Sequence, residues 1–289
     1  MIEALAIVRA AHLCALMMVF GAEALHFLFA RGHALPPAAS SAARFSQIAA
    51  ATALITSLIW LCLTAAIMSG SNLPDAPAIM LTLSQTLFGR VMVVRIAILT
   101  LLVTVLSSRR ATSAGIPIVL SGLALAAIAL TSHPAASGDV RFLPGRAFID
   151  ALHLLAAAFW IGGLAVLVPM VRGPQPAALL PALRIFSRWA MGAVAILIAA
   201  GSLNAYFILF GGTGRWSLSY ISLLAAKIVL AALMVAMALA NRFGLVPGIA
   251  QGDAEAKDTL AMSTIAELVI AILIVAIVSL LGLLPPREG

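Results

Sequence analysis

Residues 4–29 read ALAIVRAAHLCALMMVFGAEALHFLF, with Arg9 and Glu23 the only fixed charges in the stretch. A helix needs about 20 apolar residues to cross a hydrocarbon core, and this run exceeds that. It also outlasts the apolar segment of a signal peptide, which is about 7–15 residues long. Glu3 stands where a signal peptide carries basic residues. The stretch therefore reads as a retained membrane span. Seven more windows of this kind follow, near 47–69, 90–107, 115–132, 149–171, 188–210, 219–241 and 263–284. The breaks between them carry turn residues, among them Gly70 to Pro77, Pro134 to Gly145 and Gly211 to Gly214, and Pro285-Pro286 closes the last window. The prediction is an all-α protein, a bundle of eight transmembrane helices forming a single integral membrane domain over residues 1–289.

Composition points the same way. Of 289 residues, 63% are hydrophobic and 9% charged, and the mean hydropathy is +1.15. Soluble domains carry about 25% charged residues, so this chain lacks the charge to cover a soluble surface. Continuous apolar runs, without alternation, exclude a transmembrane β-barrel. The net charge of +7 comes from basic residues scattered singly between apolar runs. They read as topology signals rather than a nucleic-acid surface, and no nucleic-acid partner is expected. Cys14 and Cys62 lie inside apolar runs with no CxxC spacing, which excludes a zinc ribbon or a disulfide framework.

Loop charges predict the orientation. Arg31, Arg44, Arg109, Arg110, Arg172, Arg184, Arg188, Arg242 and Lys257 fall on one side. Arg90, Arg141, Arg146, Arg215 and Arg287 fall on the other. The positive-inside rule assigns the richer side to the cytoplasm, so both termini are expected on the periplasmic side of a bacterial inner membrane.

Ionisable residues inside spans are costly and mark function by default. Candidates here are Arg9, Glu23, Arg95, Lys227 and Glu267, with Asn204 as a neutral polar residue mid-span. At about 100° per residue, Arg9, Glu23 and His26 project within about 60° of His12, so the four form one stripe on the first helix. His12 lies toward its outer end and His26 toward its inner end, roughly 21 Å apart. In the fifth window Asp150, His153 and Trp160 share a face, and His133 ends the fourth. His12, His133 and His153 are thus expected near one outer depth. An Asp one turn before a His suits a carboxylate that orients a metal-binding imidazole. Histidines suit copper, or the two axial positions of a haem b. Met68 and Met80 are thioether candidates for Cu(I), and Glu23, His26 and Glu267 form a candidate inner station. The chain has no phosphate-binding loop, nucleophile elbow or HExxH, so neither an ATP-driven pump nor a hydrolase is indicated and the protein is not expected to be an enzyme.

The run Asp150-Ala-Leu-His153-Leu-Leu-Ala-Ala-Ala-Phe-Trp160-Ile-Gly162-Gly163-Leu164 resembles the signature of the CopD copper-resistance membrane family. Ser132-His133-Pro, Phe186-Ser187-Arg188, Gly201 with Asn204, Tyr220 followed by Lys227, Asn241-Arg242 and Glu267 fall in the family's order. The resemblance implies an eight-span inner-membrane protein that works with a periplasmic CopC-like copper-binding protein and moves copper from periplasm to cytoplasm. Two other readings stand beside copper transport: a b-type cytochrome with bis-His ligation, and a membrane copper chaperone that loads a partner enzyme.

Overall fold

The computed structural model describes residues 1–32, 39–108, 115–131, 143–173, 176–210 and 214–288. They are almost wholly helical. The order is α1 (Ile2–Arg31), α2 (Ala39–Ser69), α3 (Ala76–Gln85), α4 (Leu87–Ser107), α5 (Gly115–Ala129), α6 (Leu143–Arg172), α7 (Pro176–Phe210), β1 (Arg215–Trp216), α8 (Leu218–Ala240), a π-turn (Asn241–Leu245), α9 (Val246–Ala250), α10 (Ala254–Leu281) and β2 (Arg287–Glu288).

Seven of these stretches are long and apolar enough to cross a membrane; α8, the π-turn and α9 count as one. The window expected at 115–132 holds only the 15-residue helix α5. At 1.5 Å per residue it spans about 22 Å, short of a hydrocarbon core of about 30 Å. Large apolar side chains cover the outside of the bundle, Ile7, Val94, Ile198 and Val229 among them, and in a bilayer they meet lipid.

The helix α3 was not expected from the sequence. Its N-terminus is capped by Asp75, which accepts a hydrogen bond from the Ala78 amide at 2.7 Å. Thr86 ends α3 and caps α4, accepting from the Gly89 amide at 2.8 Å.

The bundle closes around α1 and α6. Gly21 and Gly162 face each other, and a Cβ on Gly21 would lie 2.6 Å from the Gly162 Cα. A Cβ on Gly162 would also strike the Met17 carbonyl, and one on Gly21 the Ala158 carbonyl. Small residues at such a crossing let two backbones approach, which is how helices associate in lipid. Arg9 near the start of α1 bonds the end of α10 at Gly282, and Lys257 near the start of α10 donates to the Gly173 carbonyl just past α6, so α1 and α6 both oppose α10 and run parallel to each other. The central core is drawn mainly from these two helices, with Leu16, Val19, Leu25, Ala158, Trp160 and Leu164 in it. α7 and α8 are largely exposed.

At one end of the bundle, Arg9 near the start of α1 donates to the Gly282 carbonyl at the end of α10, at 3.0 Å. The chain's tail pairs with the α7–α8 connection, Arg215 opposite Glu288 and Trp216 opposite Arg287. The first helix's start and the last helix's end therefore share one end of the bundle.

Candidate functional site

Three polar stations lie inside the helices. The first surrounds His12, which is completely buried. Arg95 of α4 donates from Nη2 to His12 Nε2 at 2.5 Å. Arginine only donates, so Nε2 holds the lone pair and Nδ1 the proton. Nδ1 lies 3.0 Å from the Ala53 carbonyl and 3.1 Å from the Thr56 hydroxyl, both on α2. Trp60 meets the ring edge-on at a centroid distance of 5.6 Å. The guanidinium groups of Arg9 and Arg95 sit over the same indole at 5.2 and 4.9 Å. Arg95 Nε and Nη1 and Arg9 Nε have no hydrogen-bond partner among the described residues. Both nitrogens of the imidazole are engaged by protein, and two cations crowd the station.

The second station joins α6, α7 and α8. His153 Nδ1 lies 3.2 Å from the Leu197 carbonyl of α7, which fixes the proton there and leaves the lone pair on Nε2. Gly201 makes room for the ring: a Cβ there would lie 3.1 Å from His153 Cε1. Asp150 accepts from the Asn204 amide at 3.3 Å. Lys227 of α8 acts electrostatically on both Asp150 and His153. Asp150 and His153, read as one pair on α6, come together here with Asn204 and Lys227, which were chosen on other helices. The hydrogen bond that orients the ring comes from the backbone of another helix, which a side-chain reading of one helix does not reveal.

The third station is a cleft enclosing about 670 Å³ of non-protein space, its open mouth included, between α6, α7, α8 and α10. Trp160 lines it, two turns along α6 from His153, together with Glu267, Thr264, Ser187 and Arg242. Glu267 is 1% exposed. Its Oε1 accepts from Asn241 Nδ2 at 2.5 Å, while Oε2 has no partner among the described residues. Arg242 donates to Ser187 across the cleft. Asn241 and Arg242 open the π-turn, a distortion that often marks a functional position in a helix. The sequence reading singled out Glu267 and named Asn241-Arg242 only in the family's order, without pairing them. The cue was there in Asn241-Arg242, a polar pair at the end of an apolar run.

The parallel crossing sets depth. His12 precedes Gly21 by nine residues, as His153 precedes Gly162, so the two histidines lie at one level. Their rings face different neighbours, α2 and α4 for His12 and α7 for His153. Among the described residues no three His, Cys, Asp or Glu side chains are grouped to hold a metal ion. His133 lies outside the described residues. Met68 and Met80 are 58% and 66% exposed, and Met80 stands on α3 rather than on a span. Glu23 and His26 are half-buried on α1 and interact electrostatically. α10 runs antiparallel to α1 from the Arg9–Gly282 contact, which brings Glu267 level with Glu23, about 18 Å below the histidines.

Apolar helices enclosing buried polar stations define a multi-pass membrane protein, and comparison with known proteins gives its family. The family described as Copper resistance protein D matches residues 180–281, and Copper resistance protein D-like, N-terminal domain, matches residues 1–142. Copper resistance protein D of Pseudomonas syringae pv. tomato is 32% identical over 94% of this chain and 93% of its own length. Inner membrane protein YebZ of Escherichia coli (strain K12) is 30% identical over 96% of this chain and 97% of its own. Copper transport protein CutJ of Bacillus subtilis (strain 168) is 30% identical over 44% of this chain and 25% of its own. No solved structure matches. The chain belongs to the copper resistance protein D family and is a multi-pass inner-membrane protein. None of these relatives is named as an enzyme.

Proposed function

We propose that this protein carries copper across the inner membrane, from the periplasm to the cytoplasm. The observation that carries the reading is the second station. An imidazole with its lone pair on Nε2, a carboxylate, an amide and an ammonium group lie together in helices otherwise built to meet lipid. Buried groups of this kind are retained at ion pathways. Imidazole is a ligand of choice for copper, and two of the relatives are named for copper.

In this reading the eight apolar windows cross the membrane with both termini outside. His153 and Asp150 receive copper at the periplasmic side, delivered by a CopC-like protein. His133 adjoins this station in sequence and is the candidate second imidazole. Met68 and Met80, exposed toward solvent or headgroups, are the first thioether contacts. Copper leaves past Glu267, Glu23 and His26 at the inner level. A bis-His haem through His12 finds no support in the geometry, since Arg95 holds the lone pair that the iron would need.

The test is cellular copper accumulation in a strain carrying the wild-type chain, His153→Ala or Glu267→Gln. Transport predicts a fall in both variants at equal protein level. Accumulation unchanged in His153→Ala overturns the role given to that station. A fall in His153→Ala with no change in Glu267→Gln favours a chaperone that works at the outer side alone.

A further inference from the structure

The two halves of the chain repeat each other. With a shift of 141 residues, Ala10, His12, Leu13, Ala15 and Gly21 of α1 fall on Ala151, His153, Leu154, Ala156 and Gly162 of α6. The same shift carries Phe45, Ser46, Ala49 and Ile55 of α2 onto Phe186, Ser187, Ala190 and Ile196 of α7.

Structure and register agree. The paired glycines are the two that touch at the α1–α6 crossing. The paired histidines each turn Nδ1 to a backbone carbonyl of the next long helix, Ala53 in one half and Leu197 in the other. Trp60 and Gly201, also 141 apart, are the residues that meet the two rings. Each ring then has a cation from the following long helix, Arg95 of α4 or Lys227 of α8. That pair is 132 apart, and the missing nine residues are about the length of α3, which has no counterpart between α7 and α8 among the described residues. Parallel helices at the crossing make this a parallel repeat, related by an axis along the membrane normal, a plan known among transporters.

The copies differ in charge. Where α6 has Asp150, α1 has Arg9. The His153 copy holds one carboxylate and one ammonium, which balance. The His12 copy holds two guanidinium groups and, among the described residues, no hydrogen-bonded carboxylate. It repels a further cation, and its imidazole lone pair is occupied. The His153 ring packs directly on the Gly201 backbone, whereas at the equivalent position an indole, Trp60, meets the His12 ring.

We infer that the chain is a duplication whose two histidine stations are copies of one site for a transition-metal cation of the kind imidazole binds, and that only the His153 copy binds, the His12 copy being latched by Arg95. This rests on the copper reading for the identity of the cation, while duplication and latch rest on geometry alone.

The probe is Ag(I), a redox-inert stand-in for Cu(I), titrated into the full chain purified in detergent. Wild type is expected to take up about one equivalent at an imidazole-type site. His153→Ala should weaken that binding by ~100-fold or more, since losing even an outer partner of a ligand costs 10–100-fold. His12→Ala should leave it unchanged. Arg95→Met removes the donor and one charge, and should add a second equivalent that disappears in Arg95→Met/His12→Ala. Arg95→Lys keeps charge and donor and should add none. Equal losses in His12→Ala and His153→Ala overturn the inference, and that pair decides it even if Arg95→Met does not fold. A folded Arg95→Met with no added equivalent also overturns it. If wild type binds no silver, the copper reading falls. The latch then stands if Arg95→Met gains a His12-dependent equivalent, and falls if it does not.

Discussion

The halves built on α1–α5 and α6–α10 solve the same packing problem with opposite outcomes. In the first, α2 lies against α4 and the His12 ring is sealed between them under Trp60 and Arg95. In the second, α7 and α8 have no comparable contact, and a cleft reaches inward to Glu267. A buried guanidinium is always charged and is poorly replaced once seated, whereas lysine is a single flexible point charge. One copy has both imidazole nitrogens engaged by protein, and the other keeps a lone pair on Nε2, in a half that also holds a Glu267 oxygen with no hydrogen-bond partner among the described residues. A buried histidine is thus not evidence of a ligand until the partner of its second nitrogen is known.

The comparison breaks first at the crossing that both halves share. Gly162→Leu drives a side chain into the Met17 carbonyl, which cannot rotate away. Overpacking of this kind costs about 3 kcal/mol or more, read as a lower Tm in detergent and a loss of folded protein. An unchanged Tm would mean that α1 and α6 do not touch at this point.

Smaller effects sharpen the contrast between stations. Glu267→Ala strands the Asn241 amide and should destabilise by about 1–3 kcal/mol, whereas Glu267→Gln keeps an acceptor for Asn241 and should cost little while still impairing transport. Equal stability losses in the two would show that the carboxylate charge, rather than the Asn241 bond, holds this region. Thr56→Val removes one of the acceptors near His12 Nδ1 while the Ala53 carbonyl remains. Its cost is expected near 1 kcal/mol, with copper accumulation untouched. Gly201→Ala places a methyl group 3.1 Å from the His153 ring. It should change stability least of all and lower accumulation, because the imidazole must shift by a few tenths of an ångström. A Thr56→Val effect on accumulation as large as that of Gly201→Ala would erase the difference between the stations.

Much of the architecture was legible in the sequence because hydrocarbon imposes a length rule that composition reveals directly. All seven long helices fall on expected windows, with ends extended where polar residues continue the helix beyond the apolar run, as at the start of α10 with Glu255, Lys257 and Asp258. Helix α3 was missed because it is short and its caps, Asp75 and Thr86, read equally as loop residues. Depth was legible too: His12 and His153 share a level because both sit a fixed distance from a glycine at the crossing. Which way a ring turns was not, because that depends on another helix's backbone, as with Leu197, or on a side chain from far along the chain, as with Arg95. The repeat was hidden because its matched positions are scattered, several of them Ala or Leu that are common throughout this chain, and because α3 interrupts the register between the second and third helix pairs.

The most direct test of copper handling at the His153 station is metal content. The full chain would be purified, loaded anaerobically with Cu(I), freed of excess and assayed for copper and iron together, alongside His153→Ala. The account predicts copper near one per chain in the wild type, little in the variant, and no iron in either. Iron near one per chain with no copper, or equal copper in both proteins, would contradict it.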